Sequence, residues 1–122
     1  MDYTFNFTHL IKPLLFVSCL TLSLSVLADD KQNVIDACFL KYVDNDHKSA
    51  LPLCKQAAEQ GDSSAQVNLG MMYDNGRGTP KDDKQAVYWY TQAAEQGNVD
   101  AQFNLGGKHR KGKGTPKNNI AE

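Results

Sequence analysis

The sequence predicts an all-α fold, an α-solenoid in which helix-turn-helix units stack side by side. Two observations carry that expectation. The stretch over 57–81, AAEQGDSSAQVNLGMMYDNGRGTPK, recurs over 93–117 as AAEQGNVDAQFNLGGKHRKGKGTPK. Ala65 and Ala101, Leu69 and Leu105, Gly78 and Gly114, and Pro80 and Pro116 all stand 36 residues apart. Within the block, apolar residues recur at helical spacing on two faces, which suits a helix that touches a neighbour on each side. A unit of this length cannot bury its apolar surface alone, so the units must stack.

The chain has 122 residues and a formal charge of −1. That is one small domain at most, and not the strongly basic balance of a dedicated nucleic-acid binder. Pro13 to Leu27 is apolar apart from small hydroxylated residues and Cys19. Val26 and Ala28, just before Asp29-Asp30, suit signal-peptidase cleavage after Ala28, so residues 1–28 are expected to be a signal peptide. The stretch is short for a bilayer span of about 20 residues, and the leader's basic content is only Lys12. An uncleaved anchor and a cytosolic chain are the alternatives. Phe16-Val17-Ser18 makes a poor lipobox, so Cys19 is not expected to be lipidated. Export would place the protein in the periplasm or outside the cell, where paired thiols oxidise.

Residues 29–61 read as a degenerate helical hairpin. Asp29 to Asn33 is polar and expected to fray, and Val34 to Val43 carries Val34, Ala37, Cys38, Phe39 and Leu40 for a buried helix. Asp44-Asn45-Asp46 breaks it, and Asp46 can cap a second helix from His47 to Gln60. Pro52 should bend or delay that helix, and Gly61 ends it. Cys38 and Cys54 are equidistant from Asp46. In an antiparallel hairpin they would face each other, and a disulfide there is worth about 3 kcal/mol. Two buried free thiols are the alternative.

The complete unit spans 62–97. Asp62 or Ser63 caps a helix with Ala65, Leu69, Met72 and Tyr73 on one face and Val67 and Met71 on another. Gly70 costs about 1 kcal/mol in helix propensity, which points to a partner backbone passing too close for a side chain. Asn75 to Pro80 is the turn, and Asp82 with Gln85 resembles a capping box. The second helix carries Ala86, Trp89, Tyr90, Ala93 and Ala94, and stops at Gly97. Residues 98–122 begin a third unit with Ala101, Phe103, Leu105 and Gly106. They depart at Gly107-Lys108-His109, where the unit before has Met71-Met72-Tyr73. Glu122 stands at the position of Ala86, so this unit is expected to be partial, as a polar cap or as a truncated remnant.

Ala65, Leu69-Gly70, Tyr73, Gly76-x-Gly78, Ala86, Trp89-Tyr90, Ala93-Ala94 and Gly97 together resemble the Sel-1-like repeat, a relative of the tetratricopeptide repeat with a longer internal turn. The resemblance implies antiparallel helix pairs in a right-handed superhelix with a concave binding surface. It also implies a scaffold or adaptor role, which exported bacterial members serve at the envelope or in host contact. On that pattern the first helices line the concave side, so Gln66, Asn68, Tyr73 and Asn104 are candidate contacts with a protein partner. Ala57, Leu69, Gly70, Trp89, Tyr90 and Ala93 are structural. A cysteine-rich exported branch of the family is associated with β-lactam binding or slow hydrolysis. Its repeated cysteines are not reproduced, since 62–97 has none, so β-lactamase activity is only the alternative to a non-enzymatic role.

No catalytic motif of the G-x-S-x-G, S-x-x-K or C-x-x-C kind is present. After Ala28 the only histidines are His47 and His109, neither with a second ligand at helical spacing, so no metal and no cofactor are expected. Gly76-x-Gly78-Thr79-Pro80-Lys81 is a turn, because a phosphate loop needs a preceding strand and lysine directly after glycine. Lys108, His109, Arg110, Lys111, Lys113 and Lys117 read as a solvated end of the array, with attraction of an anionic partner as the alternative. No nucleic-acid partner is expected, and membrane contact only through an uncleaved leader.

Overall fold

The computed structural model describes residues 28–114. The expected signal segment, apart from Ala28, and residues 115–122 with Lys117 lie outside them. The chain divides into two units after Gln32, and the packing described below belongs to the second. Residues 28–43 form helix α1, followed by α2 (His47–Glu59), α3 (Ser63–Asn75), α4 (Asp83–Glu95) and α5 (Val99–Lys111). There is no strand among the described residues. The fold is an all-α helical repeat.

The period of 36 survives into three dimensions. From α2 to α5 every helix is 13 residues long, and α4 and α5 begin 36 residues after α2 and α3. The caps repeat as well. Asp46 accepts from the backbone N–H of Ser49, and Asp82 from those of Lys84 and Gln85. Asp62 accepts from Ala65, and Asn98 from Ala101. Each of these side chains satisfies an N–H that the first turn leaves unpaired. At the other end, Gly61 and Asp62 donate to Ala58 and Ala57, and Gly97 and Asn98 to Ala94 and Ala93, one closing motif made twice.

Three expectations are corrected. Asp29 to Asn33 does not fray but continues α1, since it contains neither glycine nor proline. Pro52 does not delay α2, which starts at His47 as α4 starts at Asp83. Gly70 is crowded by a side chain and not by backbone. A Cβ there would lie 2.6 Å from Tyr90 Cε1 and 2.7 Å from Cδ1.

The core joins Cys38, Ala50, Cys54, Ala57, Ala58, Ala65, Leu69, Met72 and Trp89, and a smaller cluster joins Val67, Ala93 and Ala101. Cys38 and Cys54 are bonded across α1 and α2, with Cα atoms 4.7 Å apart. One period after Cys54 stands Tyr90, whose Oη donates to Asp74 Oδ2 at 3.5 Å. The turn from α1 to α2 (44–46) is shorter than that from α3 to α4 (76–82), so with the helix ends aligned Cys38 matches Gly70. A covalent bridge in one hairpin thus stands where the next has the Tyr90 ring over Gly70.

Stacking has a repeated joint too. Gly78, at φ +72°, presses on the backbone carbonyl of His47, and Gly114 presses on that of Asp83. His47 and Asp83 open α2 and α4. A Cβ at Gly78 would sit 2.7 Å from the His47 carbonyl carbon, and positive φ strains any other residue there. Each glycine-rich turn is therefore seated on the start of the preceding second helix.

Candidate functional site

The first helices α1, α3 and α5 enclose an open groove of about 430 Å³. Phe39 enters from α1, Val67, Asn68 and Met71 from α3, and Phe103 and Asn104 from α5. The helical period explains the pairing, because residues one repeat apart on equivalent helices face the same way. Asn68 and Asn104 are both half-buried, and neither amide pairs with another described residue. Each presents a donor and an acceptor toward apolar walls.

The other two candidate contacts lie elsewhere. Gln66 is 4% exposed, with Nε2 donating to the Ala58 carbonyl at 3.1 Å and Oε1 accepting from Gln96 Nε2 at 2.9 Å. It ties the ends of α2 and α4 together instead of facing the groove. One period later Gln102 donates to the Ala94 carbonyl at 3.4 Å, the same bond repeated. Tyr73 is half-buried and packs against the main core. Sequence reasoning missed the groove's apolar walls, because Phe39 and Met71 fall outside the repeated residues.

It also misread Lys108 as part of a solvated basic cluster. Lys108 is 5% exposed and inserts between the carboxylates of Asp74 and Asp83. It occupies the position of Met72, where the stem can fill core space while the ammonium finds two carboxylates. Burial alone would depress its pKa, but the hydrogen bonds to Asp74 and Asp83 prevail and raise it. In return, the Lys108 hydrogen bond holds the Asp83 carboxyl below its ordinary value. Burial first, then the Asp74 carboxylate, push the Tyr90 hydroxyl far above its ordinary value. His109, Arg110, Lys111 and Lys113 are exposed beside it.

Among the described residues, no three His, Cys, Asp or Glu side chains gather as a metal site, and no helix is long and apolar enough to cross a membrane.

The Sel1 repeat pattern matches residues 40–62, 63–98 and 99–121. A Sel1 repeat protein from Oxalobacter formigenes is similar in structure, with 34% identity over 61% of this chain and a TM-score of 0.59. A protective antigen present in uropathogenic Escherichia coli strains, displaying an SLR fold, is 32% identical over 66% of this chain, with a TM-score of 0.63. This chain spans 21% and 18% of those two proteins. No curated protein matches it. The three matched segments, the recurring helices and these likenesses have one reading: the chain belongs to the Sel1 repeat family.

Proposed function

We propose that the protein is an exported adaptor whose groove between α1, α3 and α5 holds an extended segment of a protein partner. The observation that carries this reading is the pair Asn68 and Asn104, amides one repeat apart in one groove and without a partner among the described residues. An amide can accept from a peptide N–H and donate to a peptide C=O, so two in a row suit an extended backbone. Val67, Met71, Phe39 and Phe103 offer apolar contact for its side chains. Export rests on the apolar stretch Pro13 to Leu27 with small residues at Val26 and Ala28. It agrees with the similar protein's description as a protective antigen.

The test is affinity capture from an envelope fraction, with the chain from Asp29 as bait beside its Asn68→Ala/Asn104→Ala form. We expect proteins captured by the parent to be lost from the variant while its helicity and melting are unchanged. An identical capture set would sink the reading. N-terminal sequencing of the protein from fractionated cells should begin at Asp29, and an intact leader on a cytosolic chain would refute export.

A further inference from the structure

We infer that the cavity between the C-terminal ends of α2 and α4 is a docking site for an arginine side chain of a protein partner. The cavity, of about 450 Å³, is lined by Glu59 from α2 and by Tyr88, Trp89, Gln92 and Glu95 from α4. Gln96 joins its two walls, donating to the Gly61 carbonyl at 3.0 Å and to Gln66 Oε1 at 2.9 Å. Both walls belong to neighbouring units inside the described chain. The cavity shares no residue with the groove between α1, α3 and α5, so the two readings fail independently.

The charge at this place calls for a cation. Glu59 and Glu95 are the last residues of α2 and α4, one period apart. Both are exposed, and neither has a partner among the described residues; Lys55, one turn before Glu59, makes no ion pair with it. A helix C-terminus is the negative end of its macrodipole, and the last turns of α2 and α4 carry no basic residue. Two carboxylates and two dipole ends therefore add in one recess. The rings narrow the choice of cation. Tyr88 is 52% exposed and stands edge-on to Trp89, with ring centroids 4.9 Å apart. A planar guanidinium can lie on an aromatic face while its N–H groups reach carboxylates, which a compact ammonium does less well. Trp89 is 8% exposed, and its buried Nε1 has no acceptor among the described residues, an unpaired donor at the cavity wall. An arginine residue within a peptide supplies both missing partners, a cation for the carboxylates and a carbonyl for the indole.

The chain has one tryptophan, so a single indole N–H signal in heteronuclear NMR reports on the cavity. The probe is acetyl-Gly-Arg-Gly-amide, titrated into the whole chain at fixed ionic strength. We expect the indole signal to move saturably, with half-saturation at about 1–10 mM. Glu59→Gln/Glu95→Gln should weaken this binding by about tenfold or more. Neither carboxylate holds a contact in the fold, so that variant should melt no lower than the parent. Asn68→Ala/Asn104→Ala should bind the peptide unchanged. An indole signal that stays in place up to about 30 mM, or full binding by the glutamine variant, would overturn the proposal. So would an equal response to the neutral citrulline peptide or to the lysine peptide. Equal binding of ethylguanidinium, which has no carbonyl, would make the ligand a free cation and would also overturn it. A dimer in sedimentation that the glutamine variant dissociates would do the same, because the occupant would then be a second copy.

Discussion

Gly70 and Gly106 hold the same repeat position and should respond to alanine with opposite sign. At Gly70 the new methyl meets the ring of Tyr90, itself 1% exposed and unable to withdraw. Overpacking of about 1–3 kcal/mol then outweighs the helix-propensity gain of about 1 kcal/mol, and Gly70→Ala should lower the melting temperature. At Gly106 no described residue fills the space, so Gly106→Ala should raise it. Thermal melts of the two variants decide this, and equal shifts would refute the assigned packing. Lys108 gives a second prediction. Because Asp83 titrates below its ordinary value when folded, the ion pair stabilises the fold above the unfolded carboxyl value of about 3.9. That contribution is lost as pH falls through the depressed folded value. Lys108→Met puts back the Met72 side chain and removes the pair, so its stability should fall less steeply over that window in acid titrations followed by circular dichroism. The residue type alone misled here: lysine in a basic run reads as solvent-facing, and only its register with Met72 marks it as interior.

At the scale of the elements, the hairpin of α1 and α2 depends on a bond that the next hairpin replaces. The bridge closes a loop of sequence separation 16, worth about 3 kcal/mol. Reduction should lower the melting temperature by roughly 15 °C, and Cys38→Ala/Cys54→Ala should melt at least as low without reductant. Transplanting the neighbouring solution is a sharper test. Cys54→Tyr alone forces a ring against Cys38, whereas adding Cys38→Gly makes room as Gly70 does. The double variant should therefore melt above the single one, and the reverse order would show that the two hairpins are not equivalent. The helix starts were legible because capping residues recur one period apart, Asp46 with Asp82 and Asp62 with Asn98. The groove was half legible. Asn68 and Asn104 followed from the repeat, but the placing of Gln66 and Tyr73 depended on how neighbouring helices cross, which one strand of text does not encode.

Across the whole molecule, helices pack mainly in sequence order: α2 on α3, α3 on α4, α4 on α5. In such a row stability is a sum of units and joints, and the helix that buries least opens first. Only Ala101 and Lys108 are buried on α5, against six residues on α3. Amide hydrogen exchange should therefore be fastest in α5 and slowest in α3, and uniform protection would contradict the row-like build. The turn glycines Gly78 and Gly114 were legible as turns. Their seating on His47 and Asp83 was not, since a carbonyl contact leaves no mark on residue type. The sulfur bridge has a mechanical consequence. Drawn out by its two ends, the chain would shed α5, then α4 and α3, and halt where Cys38 meets Cys54. The enclosed loop would bear no tension, so the front hairpin would outlast the rest under load.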